Sequence, residues 1–216
     1  MKNNRMSRRM ISAKTIERLV LYKRLLKHMA AEGKRHIFSH ELAALVNNSP
    51  AQVRRDLMQM GYTSRSAKGY EVLSLIDEIH QILASGRKQN MVLAGVGNLG
   101  RALLSYFSYR QPALEIVAAF DSDRNKIDRV IGGCRCYHVE DMIDKIGTFK
   151  ATIGIITVPA ERAQQVADSM VEGGVRAILN FAPVPVQLPK GVLREQMDIT
   201  MQLEKLAYLV KQGMEL

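Results

Sequence analysis

The 216-residue sequence has little cysteine and no long apolar run. Its two cysteines, Cys134 and Cys136, lie two positions apart, a spacing that is poor for a disulfide and too sparse for a metal site. No apolar run approaches the ~20 residues of a membrane-spanning helix, and the first ten residues lack the apolar stretch of a secretory signal. We therefore expect a cytoplasmic protein with no bound metal and no membrane partner.

Acidic residues are scarce in the first third of the chain. Residues 1–70 hold 15 Lys and Arg against 4 Asp and Glu, a net charge of +11, whereas residues 71–216 hold 16 against 17, a net charge of −1. A compact basic segment indicates a polyanionic partner. Nucleic acid is favoured over a membrane surface, because no long basic amphipathic face with aromatic anchors is present. The alternative is a solvated basic surface.

The spacing of apolar residues predicts a helix-turn-helix in this basic segment. A helix over residues 15–29 is followed by a short helix that Ser39 caps. Ser49 and Gln52 then match the two ends of a capping box, with proline as the first helical residue, which predicts a third helix over residues 50–60. Helix, short helix, tight turn and capped helix are typical of this motif.

The third helix carries the side chains that are suited to reading DNA. Val53 and Leu57 lie one turn apart and face the core in this interpretation, so the polar side chains stay outside, where they can bond base edges or phosphates. Residues 62–72 are predicted to form an irregular basic hairpin, the wing of a winged helix; an ordinary surface loop is the alternative. The DNA-binding candidates are Ser49, Gln52, Arg54 and Arg55 on the helix and Arg65, Lys68, Gly69 and Tyr70 on the wing.

A short apolar run over residues 91–94 leads directly into GxGxxG at the start of a predicted helix. The first glycine permits a tight turn, the second lets the backbone approach a pyrophosphate, and the third lets helix and strand pack closely. A second apolar run ends in Asp121, 21 residues after Gly100, where a carboxylate can accept both hydroxyls of an adenosine ribose. We therefore predict a dinucleotide site, against a strand, turn and helix without a ligand. The motif residues are Gly95, Val96, Gly97, Asn98, Leu99 and Gly100.

Strands and helices alternate beyond residue 90, as in a parallel sheet with crossover helices. Ligands of such sheets bind outside the carboxyl ends of the strands, and apolar walls with a few polar tips suit a nicotinamide ring. For Thr157 and Pro159, a strand end with a turn is an equal alternative. Predicted strands cover residues 91–94, 114–120, 135–137, 152–157, 176–180 and 192–194, predicted helices cover 100–107, 139–146, 160–172 and 198–211, and the ring candidates are Tyr106, Thr157, Pro159, Asn180 and Phe181.

Groups for proton transfer are few in the sheet domain. His138 is its one histidine besides His80 of the connecting helix, and no second domain is large enough to form a substrate cleft. A dinucleotide site without catalytic residues, joined to a basic DNA-reading segment, indicates a sensor rather than an enzyme. The alternatives are a small NAD-dependent oxidoreductase with a basic appendage, and a regulator whose ligand is coenzyme A, because similar glycine turns bind that cofactor.

Six blocks along the chain resemble the Rex family of redox-sensing transcriptional repressors. The resemblance implies an α/β homodimer with an N-terminal winged helix, a C-terminal Rossmann domain and a last helix exchanged between subunits. Such a protein binds NADH or NAD+ without turning it over, and leaves its palindromic operator when NADH binds. The matching blocks are residues 15–19, 49–57, 95–104, 119–121, 155–160 and 178–183.

The resemblance also implies domains and residue roles. Domains are expected over residues 1–84 (winged helix and connecting helix), 85–197 (Rossmann domain) and 198–216 (exchanged helix). Arg24 is expected to pair with Asp198 at the start of the exchanged helix, and so to couple cofactor to head geometry. Carried over by position, Gly95, Gly97 and Gly100 hold the pyrophosphate, Asp121 holds the adenine ribose, and Tyr106 and Phe181 lie near the nicotinamide.

The wing departs from the family pattern, and the last helix allows an alternative to exchange between subunits. Where the wing of the family usually carries Arg-Gly-Val-Gly-Tyr, residues 66–70 read Ser-Ala-Lys-Gly-Tyr, without the arginine expected to enter the minor groove; Arg65 and Lys68 are its candidate replacements. The leucines of the last helix, Leu203, Leu206 and Leu209, could bury against their own subunit instead of a partner.

Overall fold

A computed structural model describes residues 11–62, 68–83, 88–110 and 113–213. The chain divides into two compact units, with the boundary between residues 87 and 88. Among the described helices, none is long and apolar enough to cross a membrane.

The described residues of the N-terminal unit pack four helices and a two-stranded sheet around one apolar core. Leu19 and Leu26 of the first helix and Val53 of the third are fully buried there, and Leu57 nearly so, which confirms the predicted inward face of the third helix. The elements are α1 (Ala13–Ala31), β1 (His36–Ile37), α2 (Ser39–Leu45), α3 (Pro50–Gln59), β2 (Tyr70–Glu71) and α4 (Val72–Leu83).

The helix starts differ in part from the predicted caps. The Ser49 hydroxyl accepts a hydrogen bond from the Gln52 amide at 3.1 Å, as expected of an N-cap. The second half of the predicted capping box is wrong, because the Gln52 side chain turns to Asp56. Ser39 is the first residue of α2 rather than its cap; the Glu41 carboxylate accepts a hydrogen bond from the amide of Phe38, the residue before the helix.

The two short strands join distant parts of the N-terminal unit. β2 pairs antiparallel with β1, with Ile37 opposite Tyr70. The predicted wing hairpin over residues 62–72 is described only at its ends, and Arg65 lies outside the described residues. Gly69 has a φ of +86°, and a Cβ there would lie 2.6 Å from the Ile37 carbonyl oxygen, so this approach of β2 to β1 requires glycine.

Among the described residues, the C-terminal unit is built on a seven-stranded sheet with the strand order β5-β6-β4-β3-β7-β8-β9. All neighbouring strands run parallel except β5, which is antiparallel to β6. The predicted α/β class with a Rossmann-like parallel sheet is confirmed. The strands are β3 (Gln89–Ala94), β4 (Leu114–Asp121), β5 (Val130–Ile131), β6 (Cys134–His138), β7 (Ile153–Ile156), β8 (Ala177–Asn180) and β9 (Leu193–Gln196); the helices are α5 (Asn98–Arg110), α6 (Met142–Phe149), α7 (Ala160–Glu172) and α8 (Ile199–Lys211), with a 3-10 turn at Val139–Asp141.

Alternation along the central strands gives this unit two apolar layers. Val92 and Phe120 point to the face covered by α6 and α7, whereas Leu93 and Ala119 point to the face covered by α5. Cys136 of β6 lies fully buried in the second layer, where burial raises the pKa of its thiol to about 11. Cys134 is buried beside it, and burial raises the pKa of that thiol to about 12. Both thiols are free.

The last helix, α8, leaves most of its apolar side chains exposed. All 13 of its residues are described, and none is buried. Leu203 is 61% exposed and Leu206 is 44% exposed, so these two leucines are not buried against their own subunit, whereas Leu209 is half-buried. Exchange of the helix between subunits stays a prediction.

Candidate functional site

The glycine turn closes tightly at two of its glycines and stays open at the third. Gly95 has a φ of +96°, and a Cβ there would lie 2.6 Å from the Thr157 carbonyl oxygen. A Cβ on Gly100 would collide with the Gly95 carbonyl oxygen. At Gly97 a Cβ would meet nothing within 4 Å. Packing within the chain therefore demands glycine at Gly95 and Gly100, while Gly97 leaves open space in front of the backbone.

Asp121, at the end of β4, is tied to the glycine turn. Its Oδ2 accepts a hydrogen bond from the Val96 amide at 2.8 Å, and its Oδ1 accepts one from the Asp123 amide at 2.9 Å. The Lys126 ammonium lies 3.0 Å from Oδ2. Burial alone raises the pKa of this carboxyl group, but the hydrogen bonds from Asp123, Lys126 and Val96 outweigh it and lower the pKa, so the group stays ionised.

A cavity of about 880 Å³ opens at this edge of the sheet. It is large enough for a drug-sized or nucleotide ligand. Of the predicted residues, Gly95, Gly97, Asp121, Thr157 and Pro159 line it. Sequence reasoning gave no role to further lining residues, because they lie in the loop after β4, directly follow β6 or sit on helices without a motif: Lys126, Val139, Ile143, Arg162 and Gln165. His138, the histidine of the sheet domain that was considered for proton transfer, also lines the cavity.

Thr157 supports the turn rather than offering its hydroxyl to the cavity. Its Oγ1 donates toward the Gly95 carbonyl at 2.7 Å and lies 3.0 Å from the Ala94 carbonyl. Asn98 and Leu99 form the first turn of α5 and are exposed, whereas Val96 is fully buried.

Three of the predicted ring contacts, Tyr106, Asn180 and Phe181, do not line this cavity. Asn180 is fully buried; its amide nitrogen donates to the Val184 carbonyl and to Gln196, and its oxygen accepts from the Ala182 amide. The side chain therefore holds the loop after β8. Phe181 is half-buried at the end of that strand, and Tyr106 on α5 is 44% exposed and packs edge-to-face on Phe107. Their contact with a nicotinamide ring stays a prediction.

In the N-terminal unit, the predicted base-reading arginines are exposed on α3. Arg54 Nη1 donates to the Ser39 hydroxyl at 3.0 Å, which links α3 to the start of α2. Arg55 Nη1 donates to Gln52 Oε1 at 3.2 Å. Both guanidiniums keep further N–H donors for an anionic partner.

A buried carboxylate that sequence reasoning left without a role lies behind this surface. Asp56 of α3 is fully buried and accepts from Arg18 Nε at 2.6 Å and Arg18 Nη2 at 2.7 Å, from the Tyr22 hydroxyl at 2.9 Å and from Gln52 Nε2 at 2.9 Å. Burial raises the pKa of Asp56, but the hydrogen bonds from Arg18, Gln52 and Tyr22 outweigh it and lower the pKa. Acidic residues are scarce in the basic segment, where Asp56 is one of four. That scarcity is the sequence signal that could have pointed to its role.

Lys68 and Tyr70 belong to the predicted wing, and Arg24 and Asp198 are the predicted coupling pair. Lys68 is exposed, while Tyr70 is half-buried and its ring packs against Tyr62, which gives it a packing role. Arg24 is exposed on α1, and Asp198 caps α8 by accepting from the Met201 amide at 2.9 Å. These last two residues belong to different units, and their pairing stays a prediction. In the described part of the chain, no cluster of three or more His, Cys, Asp or Glu side chains could hold a metal ion.

Two family models match the chain. Residues 86–184 match the model described as a CoA binding domain, and residues 10–57 match the model described as the N-terminus of a putative DNA-binding protein.

Curated relatives match almost the whole chain. A protein of Rhodopirellula baltica named redox-sensing transcriptional repressor Rex is 38% identical over 93% of this chain and 85% of its own length. A protein of the same name from Pelotomaculum thermopropionicum is 42% identical over 90% of this chain and 91% of its own length.

Solved structures match over a similar extent. The structure of RSP in complex with NAD+ and operator DNA superposes with a TM-score of 0.88, at 29% identity over 95% of this chain and 94% of RSP. The structure of RSP in complex with NADH gives a TM-score of 0.83, at 28% identity over 95% and 96% of the two chains.

Proposed function

The chain belongs to the Rex family of redox-sensing transcriptional repressors, and on that premise we propose that it is a DNA-binding repressor that senses the balance of NADH and NAD+. In this proposal the protein leaves its operator when NADH binds. The observation that carries it is the likeness of nearly the whole chain to a Rex-family repressor solved with NAD+ and operator DNA.

The crevice at the carboxyl ends of β3 and β4 fits a dinucleotide. Gly97 leaves room for a pyrophosphate to approach the backbone, at the N-terminus of the 13-residue helix α5, whose free amides favour an anion. Asp121 is held ionised and faces the cavity, so it can accept the hydroxyls of a ribose. The bound nucleotide supplies the redox signal, because its nicotinamide ring differs between the two oxidation states.

The exposed side of α3 supplies the DNA-reading surface in this proposal. Gln52, Arg54 and Arg55 present donors that suit base edges and phosphates, and the basic unit around them attracts a duplex. Lys68 and Arg65 of the wing would contact the adjacent backbone or minor groove.

Cofactor binding must reach the DNA-binding units through a second arrangement of the protein. A ligand shifts such an equilibrium only by its different affinities for the two states, so NADH must bind the DNA-released form more tightly than NAD+ does. We propose that α8 is exchanged in a homodimer, where its exposed apolar side is covered, and that Arg24 and Asp198 form the coupling pair.

The protein is proposed to bind its cofactor without turnover. The support for this proposal is that the curated relatives are named as repressors. Oxidation of NADH in the presence of small aldehydes and ketones, followed by absorbance, tests the oxidoreductase alternative; sustained turnover would overturn the assignment.

A regulator whose ligand is coenzyme A is the second candidate. The observation that favours it is the match of residues 86–184 to a model described as a CoA binding domain. Calorimetric titration with NADH, NAD+, NADPH and coenzyme A separates the candidates, and tight binding of coenzyme A alone would replace NADH as the ligand.

The deciding experiment measures DNA binding as a function of NADH. A duplex selected by the wild-type protein from a randomised pool is labelled, and its affinity is measured by fluorescence anisotropy with saturating NAD+ and with saturating NADH. We expect weaker binding with NADH by about tenfold or more, within the usual range of allosteric coupling. Equal affinity under both conditions would overturn the proposal.

A further inference from the structure

We propose that the buried Asp56 is a positioning residue that fixes the orientation of the Gln52 side chain and, through it, of Arg55, and so sets the base preference of α3. This inference rests on the proposed function, because it takes α3 as the helix that reads DNA.

The Asp56 carboxylate is saturated by donors that come from two helices. Each of its oxygens accepts two hydrogen bonds: Oδ2 from Arg18 Nε and the Tyr22 hydroxyl, and Oδ1 from Arg18 Nη2 and Gln52 Nε2. A carboxylate offers about four acceptor positions, so none is left for another partner. The group is fully buried, which strengthens each of these bonds relative to water and makes any other arrangement costly.

Saturation at Asp56 decides which way the Gln52 amide points. Because an ionised carboxylate can only accept, the amide nitrogen must face Asp56 and the amide oxygen must face away from it. The oxygen accepts from Arg55 Nη1 at 3.2 Å. If the amide were turned over, oxygen would face carboxylate and nitrogen would face guanidinium, and both contacts would become repulsive.

The fixed amide presents a defined hydrogen-bonding pattern to DNA. Gln52 keeps one N–H and one oxygen lone pair outside the chain of bonds, the pair of groups that matches the edge of adenine in the major groove. Arg55 keeps its outer N–H groups, which match guanine. A glutamine that rotated freely could present its donor and acceptor in either order, and would distinguish bases less well.

The same bonds also hold α1 against α3, so stability alone does not test the inference. A merely structural anchor would change the affinity for all sequences or the fraction folded, whereas a positioning residue changes the preference among bases. Phosphate contacts carry no direct sequence information, so the two effects separate in measurement.

The test compares base preferences selected from randomised duplexes. The wild type is compared with Gln52→Ala, with the double variant Arg18→Met/Asp56→Leu, which removes both charges of the ion pair together, and with the triple variant that combines them. We expect Gln52→Ala to lower discrimination at one base-pair position by about tenfold. The double variant should show the same loss, and adding Gln52→Ala to it should change nothing further.

Controls keep the outcomes distinct. Affinity for a fixed random-sequence duplex at low salt should change by less than about threefold in the double variant, and NADH affinity should be unchanged. If the wild type selects no preferred sequence, the proposed function fails and this inference with it. If the wild type has a preference that the double variant keeps in full, only the inference is overturned.

A measurement on the wild type covers the case in which the double variant does not fold. Nuclear magnetic resonance should show slowed solvent exchange of the Gln52 side-chain amide proton that bonds to Asp56, and Asp56→Asn should speed up that exchange. A Gln52 amide that exchanges as fast as that of the exposed Gln202 would overturn the inference.

Discussion

The Val96 amide and the Asp121 carboxylate are joined by a hydrogen bond of 2.8 Å, so the glycine turn after β3 and the end of β4 form one connected edge. The residue predicted to hold a ribose therefore also stabilises the turn predicted to hold a pyrophosphate. A ligand that displaces or strengthens this bond acts on both strands at once.

Replacing Asp121 by alanine should weaken NADH binding by about ten- to a hundredfold, because hydrogen bonds to a charged group contribute about 1.5–3 kcal/mol each. Calorimetric titration measures the change. Asp123→Ala is the matched control, since that carboxylate is exposed and bonds mainly to Asn125; its NADH affinity should stay close to that of the wild type. Equal losses in both variants would contradict a specific role for Asp121.

The three glycines of the turn should respond differently to alanine. Gly97→Ala should fold normally, because its Cβ meets nothing within 4 Å, yet bind NADH at least about tenfold more weakly, because the pyrophosphate loses its approach to the backbone. Gly100→Ala should lower the melting temperature, because its Cβ collides with the Gly95 carbonyl.

Gly147→Ala in α6 is the control for those glycine variants. It also has open space around its Cβ, and should gain about 0.5–1 kcal/mol of stability without a change in NADH affinity. Unaltered NADH binding by Gly97→Ala would show that this open space is not where the nucleotide approaches.

Alanine at Arg54 or Arg55 should weaken binding to the selected duplex by about 1–3 kcal/mol where the side chain makes a bidentate base contact. NADH affinity should not change, because these residues belong to the other unit. Arg129→Ala removes the same charge from an exposed position in the C-terminal unit, and anisotropy titrations should show little loss for it. Wild-type DNA affinity in both α3 variants would refute the assignment.

At low pH, protonation of Asp56 should contribute to the unfolding of the N-terminal unit. Its pKa is lowered in the folded chain, so its stabilisation is fully present above the unfolded value of about 3.9 and is lost as the pH falls through the folded pKa. Asp56→Asn should cost about 3 kcal/mol at neutral pH, because Arg18 is left without its charge partner. Urea unfolding between pH 3 and 7 measures both effects, and a steeper acid dependence in Arg18→Met/Asp56→Leu than in the wild type would contradict them.

Glutamate in place of Leu203 or Leu206 should convert a homodimer into monomers, because both leucines lie on the exposed apolar side of α8. Sedimentation equilibrium gives the mass, and Lys205→Glu on the same helix serves as the control for added negative charge. A wild type that sediments as a monomer would remove the exchanged helix from the proposal.

Most of the fold could be predicted from patterns among residues that are close together in the sequence. Apolar runs placed β3, which ends at the glycine turn, and β7, which ends before Thr157, within one or two residues of their observed bounds. Ser49 predicted the start of α3 because capping depends on neighbours in sequence. β5 is two residues long and its valine is exposed, so no apolar pattern in the sequence predicted this strand.

Contacts between residues that are far apart in the sequence could not be predicted from such local patterns. Asp56 and Arg18 are 38 positions apart, and Lys126 reaches Asp121 only because the loop after β4 turns back. Asn180 looked like a ligand because it ends a strand, but the loop after β8 uses its whole amide.

The burial of Cys134 and Cys136 has a chemical consequence for a protein of this family. With pKa values of about 12 and 11, both sulfurs stay protonated at neutral pH and are shielded from peroxide, so sulfenic acid forms slowly at either one. In the proposed function, redox conditions therefore reach this protein through a bound nucleotide, and oxidation of its own thiols contributes little.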